Sequence, residues 1–222
     1  MEETKEKKKN FEFIVQIIAI VILASLLIYG LGKTTIGKTT GNGIVSGGVG
    51  IGTVSASEII PTGTPRIYGD ELKVKYDDVS ATNPQLADST IKKLGQIDNS
   101  ETLTGKDLER YIKIGSEISC EYCCGAQSII FSNGQPACGC AHSYAMRGLA
   151  KYLIKYHGTE FSDEQILEEL GKWKVLFFPG IHQTKAAVLK SKGIELNYIN
   201  LASNKYRGIE QGQASGSMVG GC

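Results

Sequence analysis

Charge of one sign is the first thing this sequence lacks. Its 222 residues carry 24 Lys and Arg against 23 Asp and Glu, a formal net charge of +1. No basic field for nucleic acid follows from that balance, and no Lys/Arg cluster outside the N-terminal leader supplies one. Catalytic groupings are missing too. The chain has no His-Glu-x-x-His helix, no Ser/His/Asp set and no paired carboxylates in an apolar setting, so hydrolysis has no visible machinery. Status as an enzyme rests on thiols alone, and the balance lies against one.

What is there is concentrated. Five of the six cysteines and one of the three histidines fall between Cys120 and His142. Crowded cysteines bind soft metals, cycle as dithiol and disulfide, or staple a weak core. Cys120 and Cys123 are two residues apart, a spacing at which a tight turn aims two sulfurs at one ion, and Cys124 with Gly125 closes that turn. Ser128 to Phe131 is a strand candidate and Asn133-Gly134 a strong hairpin signal. Gln135 to Ala137 can return antiparallel, with Pro136 restricting it to an edge.

The hairpin then delivers Cys138 and Cys140. From about Ala141 the sequence turns helical, with His142, Met146, Leu149, Leu153 and Tyr156 on one face. Knuckle, hairpin and a helix starting at the second ligand pair resemble the treble-clef and zinc-ribbon group of metal-binding folds over about forty residues. The second pair is Cys-x-Cys-x-His where that group has Cys-x-x-Cys.

The expected metal ligands are Cys120, Cys123, Cys124, Cys138, Cys140 and His142. A tetrahedral thiolate set for structural Zn2+ is the leading reading. Surplus ligands leave room for Cu(I) or an iron–sulfur cluster. A pair of disulfides is the competing use of the same residues, because disulfides persist outside the cytoplasm. A redox-active dithiol at Cys120 and Cys123 is the third. Met146 reads as core, and His157 and His182 as surface histidines.

The expected organisation begins with a cytoplasmic leader at residues 1–10 containing four lysines. From Phe11 to Leu31 the only charge is Glu12, and the largely apolar run is long enough to span a bilayer as a helix. It is longer than the apolar region of a signal peptide and lacks small residues at a cleavage site. The lysines then place the N-terminus in the cytoplasm and the remainder outside, as a single-pass cell-membrane protein.

Residues 32–57 form a Gly/Ser/Thr-rich tether. Gly32 to Thr39 matches the phosphate-loop pattern but lacks the strand before and the helix after it, so no nucleotide is expected. Residues 58–207 form one α+β domain, large enough for its own core, and 208–222 a flexible tail.

Within the domain, Asp70 to Tyr76 alternates as a half-buried strand and Ile194 to Leu201 as another. Asp77 to Thr90 reads as a loop, followed by a short helix through Ile91 and Leu94. Thr104 caps a helix ending at Gly115; Ser162 with Gln165 forms a capping box for the next, halted at Pro179-Gly180; Thr184 to Lys192 is the last. The function expected is extracytoplasmic metal binding from a membrane anchor. A membrane-tethered thiol–disulfide oxidoreductase and a disulfide-stapled interaction module are the alternatives.

Overall fold

A computed structural model describes residues 53–212 and 216–221. The protein is mostly helical there: α1 Gly69–Leu72, α2 Pro84–Ser100, α3 Gly105–Ser116, α4 Ala141–His157, α5 Asp163–Phe177, α6 Pro179–Ser191 and α7 Tyr198–Ala202. Among the described residues, β structure is confined to two isolated bridges, Ile118 with Ser203 and Ile130 with Pro136. The expected α+β domain is therefore corrected to a helical one.

The helix starts follow from local chemistry. Asn83 accepts from the Leu86 amide, and Pro84 occupies the first turn, where its missing N–H costs nothing. That pair starts α2 within what read as a loop. Ser162 and Gln165 form the expected capping box of α5. As expected, α5 stops at Phe177, just before Pro179, and Pro179 also opens α6 at its first position.

The strand expectations fail for an equally local reason. Val74 and Tyr76 are buried, as alternation requires, but Lys73 between α1 and Val74 takes the left-handed conformation (φ 51°), and Tyr76 begins a 3-10 turn. Alternating burial is met by a bend with no partner strand. In the same way, Leu196 and Tyr198 flank the start of α7, where Asn197 accepts from the Asn200 amide.

The longest packing is α2 against α4, and glycine permits it. A Cβ on Gly148 would lie 2.0 Å from the Leu94 carbonyl oxygen, and one on Gly95 would lie 3.1 Å from the Tyr144 Cβ. The helices bury Ile91, Leu94, Met146, Leu149 and Leu153 between them and their neighbours. Met146 is thus core, as expected.

Between them lies a charge. Arg147 is fully buried and donates through Nε to Asp98 Oδ2 at 2.7 Å, while its Nη1 donates to the Cys138 carbonyl at 2.8 Å. This one guanidinium ties the helix pair to the cysteine segment. Trp173 on α5 donates to the Tyr68 hydroxyl at 2.8 Å, and Tyr68 and Tyr76 both donate to Glu169. Those bonds hold the residues before α2 against the core.

Folded structure begins earlier than Glu58. Val54 is buried beside Ile59, Val175, Leu189 and Leu201, and Gln183 donates to its carbonyl at 2.7 Å. Among the described residues no helix is long and apolar enough to cross a membrane. The leader, the Phe11 to Leu31 segment, the phosphate-loop match and the tether up to residue 52 lie outside the described residues.

Gly148→Ala is expected to destabilise the fold by about 3 kcal/mol or more, because the methyl meets backbone that cannot rotate away. Gly95→Ala, facing a Cβ at a longer distance, is expected to cost less. Urea denaturation of both variants checks this; equal midpoints, or no loss at Gly148, would contradict the close α2–α4 approach.

Candidate metal centre

The Cys120–Cys124 segment is a turn closed by the Cys124 amide donating to the Cys120 carbonyl at 3.4 Å. Gly125 follows in the left-handed region (φ 67°), which reverses the chain at little cost. Phe131 then donates to the Gln135 carbonyl at 2.7 Å across the Asn133-Gly134 turn, and Ala137 donates to Ile129 at 3.2 Å. The anticipated hairpin exists as a reversal and a single bridge, without strands. Its effect is as expected: Cys138 and Cys140 return to the first thiols.

Cys140 is the N-cap of α4, with its sulfur accepting from the Ser143 amide at 3.4 Å. The Cys120 and Cys140 sulfurs share a hydrogen bond at 3.2 Å. The proton belongs on Cys120, since Cys140 already accepts an amide at the positive end of a helix. The Cys120 hydrogen bond, helped by His142 and Ser143, holds Cys140 well below the usual thiol range. The same bond, with burial, pushes Cys120 far up. The buried pair thus favours the proton on Cys120 and the charge on Cys140.

The sulfurs of Cys120, Cys123 and Cys140 lie within 4.8 Å of one another, near enough to hold a metal ion. Cys124 and Cys138 form a disulfide beside them. The Cys124, Cys138 and Cys140 sulfurs are also within 4.8 Å of each other, so Cys140 belongs to both groups. All five cysteines of the segment are thereby brought together, three as thiols and two bonded. Cys222 lies outside the described residues.

His142 is fully buried, stacked near Phe177 and Phe178, with Nε2 2.8 Å from the Val219 carbonyl oxygen. A carbonyl only accepts, so Nε2 carries the proton. The ring stands beside Cys140 and touches the site there. Val219 itself is buried and donates to the Phe177 carbonyl at 2.8 Å, and Gly221 donates to Asp88 at 2.9 Å. Residues 219–221, read as part of a flexible tail, are tied to the core, Val219 at His142 and Gly221 at Asp88.

The residues that hold the turn were not legible as functional. Glu121 and Tyr122 stand between Cys120 and Cys123 and point into a buried ionic cluster. Lys174 on α5 reaches Glu121 at 3.1 Å and the Ala202 carbonyl at 2.8 Å. Lys185 on α6 stands 3.7 Å from Glu121 and 3.8 Å from Glu210, and Tyr122 donates to Glu210 at 2.8 Å. Arg207 adds an ion pair to Glu121 and donates to the Gly125 and Ala126 carbonyls.

His182 and His157, expected at the surface, are buried. His182 bonds the Phe178 carbonyl through Nδ1 at 2.8 Å and packs edge-on to Tyr122; burial lowers its pKa well below the ordinary value. His157 sits between Glu160 and Glu71 at 2.8 and 3.1 Å. Their sequence neighbours gave no sign of this, because the partners lie far along the chain or on the adjoining turn.

Comparison with protein-family models, with curated proteins and with solved structures finds no match.

Burial lowers the pKa of Lys174 to about 8, against which Glu121 acts. A lysine whose folded pKa lies below its unfolded value near 10.5 binds fewer protons folded than unfolded between those two values. Stability contributed at this site therefore rises with pH from about 8 to about 10.5, at up to about 1.4 kcal/mol per pH unit. The stability of the wild-type protein minus that of Lys174→Met, measured by denaturant titration across this range, is expected to rise with pH. A flat difference would contradict a strained buried ammonium.

Proposed function

We propose that this chain is a membrane-anchored, extracytoplasmic metal-binding protein that holds a soft ion on the thiolates of Cys120, Cys123 and Cys140. The observation that carries the reading is the approach of these three sulfurs within 4.8 Å of one another. Thiolates select Cu(I), Zn2+ and iron–sulfur chemistry over hard cations. A closed four-thiolate structural zinc site would need Cys138, whose sulfur is bonded to Cys124. Three thiolates leave a coordination position open, the arrangement of an ion that reacts or exchanges rather than one that only staples a fold.

The surroundings support an anionic complex. A metal bound by three thiolates carries negative charge, and the fully buried Lys174 interacts electrostatically with Cys120. The thiolate at Cys140 lowers the proton cost of loading the ion, because ligands must be deprotonated to bind. The lysine-rich leader and the apolar run from Phe11 to Leu31 support the membrane anchor and the extracytoplasmic placement of the site.

Native mass spectrometry of the full chain, purified in detergent without added metal and paired with a free-thiol count, tests the reading. One soft ion per chain is expected. Cys123→Ser, which removes the least buried of the three sulfurs, is expected to weaken Zn2+ or Cu(I) binding at least about tenfold while the helical circular dichroism remains. A Cys123→Ser protein that binds as tightly as the parent would exclude this ligand set.

A further inference from the structure

We propose that the cluster is a disulfide relay: when the metal site is empty, the bond between Cys124 and Cys138 migrates inward to Cys120 and Cys140. The inference rests on the metal reading for its control, but its geometry is independent. Cys140 lies within 4.8 Å of both sulfurs of the existing disulfide and 3.2 Å from Cys120. It is the shared member of an outer bonded pair and an inner thiol pair, which is the placement a transfer residue requires.

Two exchanges move the bond. The Cys140 thiolate attacks the Cys124 sulfur, forming a Cys124–Cys140 bond and releasing Cys138 as a thiolate, which takes up a proton. Attack at Cys138 is disfavoured because residues two apart would close a tight ring. Cys120 then gives up its proton and attacks the Cys140 sulfur, forming Cys120–Cys140 and releasing Cys124, which is protonated in turn. One disulfide and two sulfurs at the thiol oxidation level stand on each side; Cys138 takes the proton that Cys120 gives up and Cys124 takes one from water, so no external oxidant or reductant takes part.

The consequence links the metal to the surface. Cys124 is exposed whereas Cys120, Cys138 and Cys140 are buried. With an ion bound, Cys120 and Cys140 are ligands and cannot act as nucleophiles. With the site empty, migration consumes two of its three ligands and turns an exposed disulfide sulfur into an exposed thiol. The two bonds span separations of 14 and 20 residues, close enough that loop-closure entropy does not choose between them. Occupancy of the metal site does.

The test maps disulfides in the full chain in detergent, loaded with Zn2+ and then stripped by a chelator without reductant, by acid quench, alkylation and non-reducing peptide mass spectrometry. Loaded protein is expected to show Cys124–Cys138 alone. Stripped protein is expected to show a substantial Cys120–Cys140 population at a rate independent of protein concentration, with the total thiol count unchanged. Cys140→Ser blocks the migration, whereas Cys123→Ser weakens Zn2+ binding and leaves migration intact.

Persistence of Cys124–Cys138 alone in stripped wild-type protein would overturn the relay even if Cys140→Ser fails to fold. Both bonds together in one molecule would overturn it as well, making the inner pair a second staple. A chain that takes up neither Zn2+ nor Cu(I), yet shows the two arrangements in separate molecules, would refute the metal reading and leave the relay standing.

Discussion

The contact between the Cys120 and Cys140 sulfurs, 3.2 Å apart in a buried setting, is the constraint around which the rest of the molecule is arranged. Two thiols this close favour a shared proton, a shared metal or a shared bond. Which of these is populated depends on what holds the two chain segments in place. On one side the N-terminus of α4 presents amides to Cys140 and favours the ionised sulfur. On the other, the turn carrying Cys120 is held by side chains from three later parts of the chain.

That second grip is costly. Glu121, Lys174, Lys185 and Glu210 are drawn from water, and a buried ion pair recovers its desolvation only with good geometry. Among the described residues, Lys185 Nζ and Glu210 Oε2 have no hydrogen-bond partner, and they face each other as an ion pair at 3.8 Å. A hydrophobic core could hold the turn at lower cost. What charge adds is register: Glu121 and Tyr122 can sit only where their partners are, so the two flanking sulfurs are aimed with them.

How much of this was legible in the sequence depended on range. Cys120, Cys123, Cys138 and Cys140 declared themselves by spacing, and the helix after Cys140 by its apolar period, because both signals are local. The turn at Asn133-Gly134 was legible for the same reason. The strands expected at Asp70 to Tyr76 and at Ile194 to Leu201 were not realised, since alternation reports which side is buried and not whether a partner edge exists. The long α2 hid behind polar residues, although Asn83-Pro84 marked its start. Glu121, Lys174 and Lys185 were invisible as a set, because nothing in a linear chain pairs residues more than fifty positions apart.

The central claim is that three sulfurs of this cluster, and not four or a Cys/His mixture, form the metal site. X-ray absorption at the edge of the bound metal in the full-length protein tests it most directly. The account predicts three sulfur neighbours at about 2.3 Å and no histidine scattering. A shell of four sulfurs, or one containing an imidazole nitrogen, would contradict it, by requiring Cys138 or His142 to leave the partners they have here.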